Sequence, residues 1–170
     1  MRGKKSPENY KTMADNKVAL FPGTFDPFTR GHESVVKRAL GLFDEIIIAI
    51  GINAQKEGYF TVENRKRMIS DAFSGVEKIK VAHFTGLTVD FCKVVDAKFL
   101  LRGIRTAADF EYERAIAQMN KAMAPGIESI LLLTTPEDTP INSTIVRDII
   151  RNGGDASQFL PEGIDINKYR

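Results

Sequence analysis

The chain has 170 residues, long enough to bury one apolar core without disulfide or metal staples. Its 24 Lys and Arg against 22 Asp and Glu leave a formal charge of +2, which excludes a polyelectrolyte tail and gives no reason to propose a nucleic-acid partner. One cysteine, Cys92, and two histidines exclude an intrachain disulfide and a Cys/His zinc site of the usual ligand count, and they fit a reducing compartment.

No run approaches the roughly eighteen apolar residues of a membrane span, and the start of the chain lacks the apolar stretch of a signal peptide. The reading is therefore cytoplasmic, without a membrane partner. Residues 1–16 are polar, with Lys4, Lys5, Pro7 and Asn9, and read as a disordered extension ahead of one domain over 17–170.

From there short apolar runs alternate with segments of helical period. A strand over 18–21 is followed by a helix over 33–43, whose Val35, Val36, Ala39, Leu40 and Phe43 form one stripe. A second strand, 45–50, holds Ile46-Ile47-Ile48-Ala49-Ile50, and a helix over 62–73 follows Thr61 as N-cap. Strand 78–82 precedes a short helix over 89–95 that carries Cys92 as a small apolar residue. Strand 99–101 precedes the longest helix, 107–123, and strand 129–133 precedes a helix over 143–151 that ends at Gly153-Gly154. Near-continuous hydrophobicity suits strands covered on both faces, so the expected architecture is α/β, a single doubly wound five-stranded parallel sheet. Ligands bind such sheets at the carboxyl ends of the strands.

That edge gathers the residues whose chemistry is hard to explain by packing. After the first strand runs Gly23-Thr24-Phe25-Asp26-Pro27-Phe28-Thr29-Arg30-Gly31-His32, where a glycine lets backbone approach a ligand and helix-start amides favour an anion. His32 sits in the first turn, where the positive helix end favours neutral imidazole and a bound phosphate would draw its pKa upward. Arg102-Gly103-Ile104-Arg105 forms a cationic fork after the fourth strand. Ile141-Asn142-Ser143-Thr144 brings hydroxyls and free amides to another helix start. Residue type alone leaves alternatives open. His32 could cap a loop carbonyl, the arginines could pair with Asp109, Glu111 or Glu113, Asn142 or Ser143 could be an ordinary cap, and Lys56 could be a solvated surface lysine. Neither a Gly-x-x-x-x-Gly-Lys-Ser/Thr loop nor Gly-x-Gly-x-x-Gly occurs, which argues against a P-loop kinase and a dinucleotide enzyme.

The run Gly23 to Pro27 followed by Thr29-Arg30-Gly31-His32 resembles the Thr/His-x-Gly-His signature of the nucleotidyltransferase superfamily. Arg102-Gly103-Ile104-Arg105 with Asp109-Phe110-Glu111-Tyr112-Glu113, and Ile141-Asn142-Ser143-Thr144-Ile145-Val146-Arg147, narrow the resemblance to the phosphopantetheine adenylyltransferase family over about 17–160. Asn142 stands where serine is usual, and Thr88 and Asp138 where bulkier residues are common.

The resemblance implies a Rossmann-like nucleotidyltransferase fold. It also implies transfer of adenylate from ATP to 4′-phosphopantetheine, giving dephospho-coenzyme A and pyrophosphate by in-line attack without a covalent intermediate. On this reading His32, Thr24, Lys56 and Arg105 are catalytic. ATP is held by Gly23, Thr24, Phe25, His32, Arg102, Gly103, Arg105, Glu113, Ser143 and Thr144, and phosphopantetheine by Thr24, Lys56, Leu87, Thr88 and Arg102. Mg²⁺ rides on the ATP phosphates without a metal site on the protein, coenzyme A is a candidate further ligand, and the assembly is a homohexamer. A nicotinate-mononucleotide adenylyltransferase or glycerol-phosphate cytidylyltransferase would share the first and last motifs, and a non-catalytic adenine-nucleotide or coenzyme A sensor could keep the fold.

Overall fold

The computed structural model describes residues 16–53 and 57–169. Five strands, β1 (Val18–Gly23), β2 (Glu45–Gly51), β3 (Ile79–Phe84), β4 (Phe99–Ile104) and β5 (Glu128–Leu133), form one all-parallel sheet in the order β3-β2-β1-β4-β5. Helices α1 (Arg30–Ala39), α2 (Val62–Ala72), α3 (Thr88–Val94), α4 (Ala107–Met123) and α5 (Ser143–Arg151) alternate with them.

The period of two along a strand divides the core between the two faces. Ile46, Ile48 and Ile50 join Val35, Val36, Met68, Ile69, Val146 and Ile150 on the face covered by α1, α2 and α5. Ile47 and Ala49 join Val89, Cys92, Ala124 and Ile127 on the other. Burial pushes the Cys92 thiol up to about 11, which suits a small apolar residue. With both faces covered, the sheet is doubly wound as its composition implies.

Most element boundaries shift by one to four residues from the sequence expectation: β1 runs on to Gly23, β3 to Phe84, and α1 ends at Ala39 and not at Phe43. Two of the shifts bear on the site. The α1 helix begins at Arg30 because Thr29, in extended backbone, caps it. Strand β4 does not stop at Leu101: Arg102, Gly103 and Ile104 pair with Leu131, Leu132 and Leu133 of β5. Its polar end therefore belongs to the ladder and not to a loop. A Cβ on Gly103 would lie 3.1 Å from a Val35 methyl, so the glycine lets α1 approach the strand.

Beyond α5 the chain does not trail away. Two short 3-10 turns, 157–159 and 166–169, place Leu160, Ile164 and Tyr169 in the α1/α2/α5 core. The Tyr169 hydroxyl donates to Asp71 (2.7 Å), its carbonyl accepts from Asn64 (2.8 Å), and Arg67 lies over its ring, so the tail is fastened along α2. The expected extension over 1–16 lies outside the described residues except for Asn16. Among the described residues no helix is long and apolar enough to cross a membrane.

The sheet order reverses between β1 and β4, neighbours whose connections leave in opposite directions. The crevice beyond their carboxyl ends is where this architecture offers a ligand site.

Candidate active site

A hollow of about 350 Å³ opens at that crevice. All ten residues assigned to ATP line it: Gly23, Thr24, Phe25, His32, Arg102, Gly103, Arg105, Glu113, Ser143 and Thr144. A second hollow of about 430 Å³ adjoins it, sharing Pro22, Gly23, Thr24, Arg102 and Glu113 and extending along Phe84, Thr88, Ile116, Ala117 and Asn120. Both volumes fall within the range of small-molecule sites, about 300–1,000 Å³. Thr24 and Arg102 thus border both hollows and Thr88 borders the second, while Leu87 lines neither and is 56% exposed. Lys56 falls outside the described residues.

His32 is built into the start of α1. The Thr29 amide donates to His32 Nδ1 (3.0 Å), and the His32 amide donates back to Thr29 Oγ1 (3.4 Å), a reciprocal cap with histidine in the place of the usual Glu or Gln. The ring therefore caps an amide and not a loop carbonyl. Because Nδ1 accepts, the neutral ring carries its proton on Nε2. Phe25 and Phe28 pack on it with centroids at 5.1 and 5.3 Å. Burial, and secondarily the charges of Arg105 and Arg102, lower the pKa of His32 to about 4. The imidazole is a neutral, oriented hydrogen-bond donor.

The first loop is tightly shaped. Phe25 has φ +48°, the left-handed region, and its ring is buried. A Cβ on Gly23 would lie 2.7 Å from that ring, so Gly23 is needed to admit it as well as to bring backbone near a ligand. Asp26 accepts from the Tyr59 and Phe60 amides at 2.8 and 2.9 Å.

Opposite His32, Arg102 and Arg105 are not bare. Arg102 makes a two-pronged pair with Glu113 (2.9 and 2.5 Å) and donates to the Pro22 carbonyl (2.5 Å). Arg105 faces Asp109 at 3.2 Å. The carboxylates on the following helix thus hold the fork in place, the alternative left open by charge alone.

At the third loop Asn142 is the cap of α5, its Oδ1 accepting from the Ile145 amide (2.9 Å). Asparagine caps as well as serine, so this departure keeps the helix start intact. Ser143 Oγ donates to the Pro27 carbonyl (2.9 Å), joining α5 to the first loop. The Ser143 and Thr144 amides lie in the first turn, where no carbonyl of the helix can reach them. Burial works against charge on Asp138, yet hydrogen bonds from Arg30, Ser34 and Thr135 outweigh it and hold this carboxyl below its usual value.

The sequence reading missed Arg65. It is 7% exposed and donates from Nη1 to the Thr24 carbonyl (2.8 Å) and from Nε to that of Phe60 (3.0 Å). A signal was present: Arg65 stands four residues before Ile69 and eight before Phe73, on the buried stripe of α2.

The Cytidylyltransferase-like family matches residues 20–149. A phosphopantetheine adenylyltransferase of Bacteroides thetaiotaomicron is 55% identical over 151 residues, covering 89% of this chain and 99% of its own. One from Flavobacterium psychrophilum is 51% identical over 150 residues, covering 88% and 99%. The crystal structure of a bifunctional NMN adenylyltransferase/ADP ribose pyrophosphatase from Francisella tularensis superposes with a TM-score of 0.67 at 19% identity, over 88% of this chain and 46% of that one, a likeness of fold alone. With this identity over nearly the full length of its relatives, and with the motif residues gathered at one sheet edge, the chain belongs to the phosphopantetheine adenylyltransferase family of nucleotidyltransferase enzymes.

Proposed function

We propose that this chain transfers the adenylyl group of ATP to the phosphate of 4′-phosphopantetheine, releasing pyrophosphate and dephospho-coenzyme A. The observation that carries the reading is the pair of adjoining hollows whose common wall is Thr24, Arg102 and Glu113. One is rimmed by helix starts, hydroxyls and arginines suited to a triphosphate, and the other runs along apolar side chains of α4 suited to a pantetheine arm.

The chemistry needs no general base. A phosphate monoester has its second pKa near about 6, so at neutral pH it is largely dianionic and nucleophilic as it stands. One of its oxygens attacks the α-phosphorus in line, the new P–O bond forms as the bond to the β-phosphate oxygen breaks, and the electron pair leaves on pyrophosphate. The protein's task is to bring two anions together and to stabilise charge on the phosphorane oxygens and the leaving group. His32, neutral with Nε2–H as donor, serves the reacting phosphate, and Thr24 orients the acceptor. Arg102 borders both hollows and attracts the acceptor phosphate, while Arg105, Ser143 and Thr144 serve the nucleotide phosphates. Lys56 is assigned to the acceptor phosphate by the family resemblance.

Mg²⁺ is expected to enter on the triphosphate and to neutralise part of its charge. The lining carboxylates Asp109, Glu113 and Asp138 each face an arginine, a donor set that suits a metal kept on phosphate oxygens better than one caged by protein. Coenzyme A contains both substrate halves and is expected to compete for both hollows. The homohexamer is an expectation of the family resemblance; the exposed apolar side chains Phe110, Met119 and Met123 of α4, at 43–65%, suit an association surface without fixing its stoichiometry.

Pyrophosphate release, measured with ATP and, for glycerol phosphate, also with CTP, tests the reading. Release is expected with phosphopantetheine and not with nicotinate mononucleotide or glycerol phosphate. Release with either of the latter alone would assign a different acceptor, and none with any acceptor would indicate a nucleotide sensor.

A further inference from the structure

We infer that Arg65 is a positioning residue for the proposed adenylyl transfer, acting through the Thr24 carbonyl to fix the loop that carries Thr24 and Phe25 against the start of α2. The inference rests on that proposed reaction for its kinetic consequence, but its geometry stands independently.

Phe25 is the element that needs fixing. A bulky residue at φ +48° persists only where its surroundings over-determine it, and such strain gathers at functional sites. The carbonyls of both chain neighbours of Phe25 are held by arginines. The Thr24 carbonyl accepts from Arg65 Nη1 at 2.8 Å, and the Asp26 carbonyl accepts from Arg147 Nη1 at 2.5 Å. The Asp26 side chain then takes the Tyr59 and Phe60 amides, while Arg65 Nε takes the Phe60 carbonyl at 3.0 Å. The two segments are thus sewn together in both directions, amide to carboxylate and carbonyl to guanidinium.

The cost of placing Arg65 here argues that its geometry matters. It sits on the apolar stripe of α2 beside Met68 and Ile69, both fully buried, where an aliphatic residue would pack without a charge to compensate. A planar guanidinium can hold two carbonyls at a fixed separation, whereas a lysine keeps the charge and loses that fork. Phe25 in turn packs against the His32 ring, so a shift of the Thr24 carbonyl is passed to both proposed reacting groups.

The test is Arg65→Lys in the full-length protein, followed by pyrophosphate release, thermal unfolding and amide NMR. Positioning errors near one ångström cost up to about a hundredfold in rate, so kcat per folded molecule is expected to fall about ten- to a hundredfold with KM for ATP little changed. Asp26→Asn, which leaves only one oxygen to accept two amides, should lower kcat in the same way, and the double variant should be no worse than the poorer single one because both loosen one clasp. Wild-type kcat per folded molecule in either variant, with only the unfolding temperature lowered, would overturn the inference, as would fully additive losses. If Arg65→Lys does not fold, Asp26→Asn decides alone. If the unsubstituted enzyme releases no pyrophosphate, the proposed reaction fails, and the inference is judged on the Thr24 and Phe25 amide signals of Arg65→Lys, which must shift for it to stand.

Discussion

The two walls of the nucleotide-sized hollow solve different electrostatic problems. The wall made by the starts of α1 and α5 offers neutral donors: His32 held as Nε2–H imidazole by Thr29, and the Ser143 and Thr144 amides with the Thr144 hydroxyl on a helix capped by Asn142. The wall made by β4 and α4 offers full charges, Arg102 and Arg105, each already opposite a carboxylate. A neutral dipole can be buried once its other edge is hydrogen-bonded, so the first wall is finished before ligand arrives. A guanidinium in the same surroundings must be paired, so the second wall carries its own counter-ions and can exchange or share them with phosphate.

The contrast is open to substitution. The largest effect is expected at His32. Removing one preorganised donor to a transition-state oxyanion costs about 10²–10³ in kcat, so His32→Ala should lose that much turnover while ATP still binds. Lost binding with an unchanged rate per bound complex would place His32 on the ground-state side. Next comes Arg105→Ala, which deletes one charged donor. About 1.5–3 kcal/mol, or roughly ten- to a hundredfold in kcat/KM, is expected from steady-state kinetics, with the denaturant midpoint little moved.

The charged wall itself is not uniform, and this sharpens the comparison. Glu113 is buried and its pair with Arg102 is two-pronged, so Glu113→Gln should destabilise the fold by about 1–3 kcal/mol in urea titration. Asp109 and Arg105 are each about a third exposed, and Asp109→Asn should cost less than about 1 kcal/mol. Equal losses at the two positions would remove the distinction between a pair that holds the strand end and one that only screens a waiting charge.

Much of this was legible before the fold was seen. The alternation of apolar runs and helical stripes identified the sheet and its edge, because parallel strands buried on both faces leave near-continuous hydrophobicity, as in Ile46 to Ile50. The motif residues were found because glycine, histidine, arginine and hydroxyl residues collected after strands have few packing explanations. Arg102 and Gly103 read as loop because charge and glycine normally break a strand, while β5 pairs with them regardless. Arg65 was hidden because its partners are carbonyls of Thr24 and Phe60, and backbone acceptors leave no trace in residue identity. The tail over 155–169 was hidden for a similar reason: short 3-10 turns carry no lasting period, although Leu160, Ile164 and Tyr169 are core residues.

The central claim is that the reaction meets a neutral His32 that donates a hydrogen bond from Nε2–H, and a nitrogen-detected NMR titration of its ring tests this most directly. The expected result for the ligand-free protein is a single Nε2–H tautomer from pH 8 to pH 5, titrating near pH 4, below the usual 6.5 because burial and then the two arginines oppose the charged form. Since the unfolded chain takes up this proton at higher pH than the folded one, the same group should contribute falling stability as pH drops from 6.5 toward 4. ATP should raise the midpoint, as its phosphates favour imidazolium. A midpoint at 6.5 or above in the ligand-free protein, or a proton resident on Nδ1, would contradict the account.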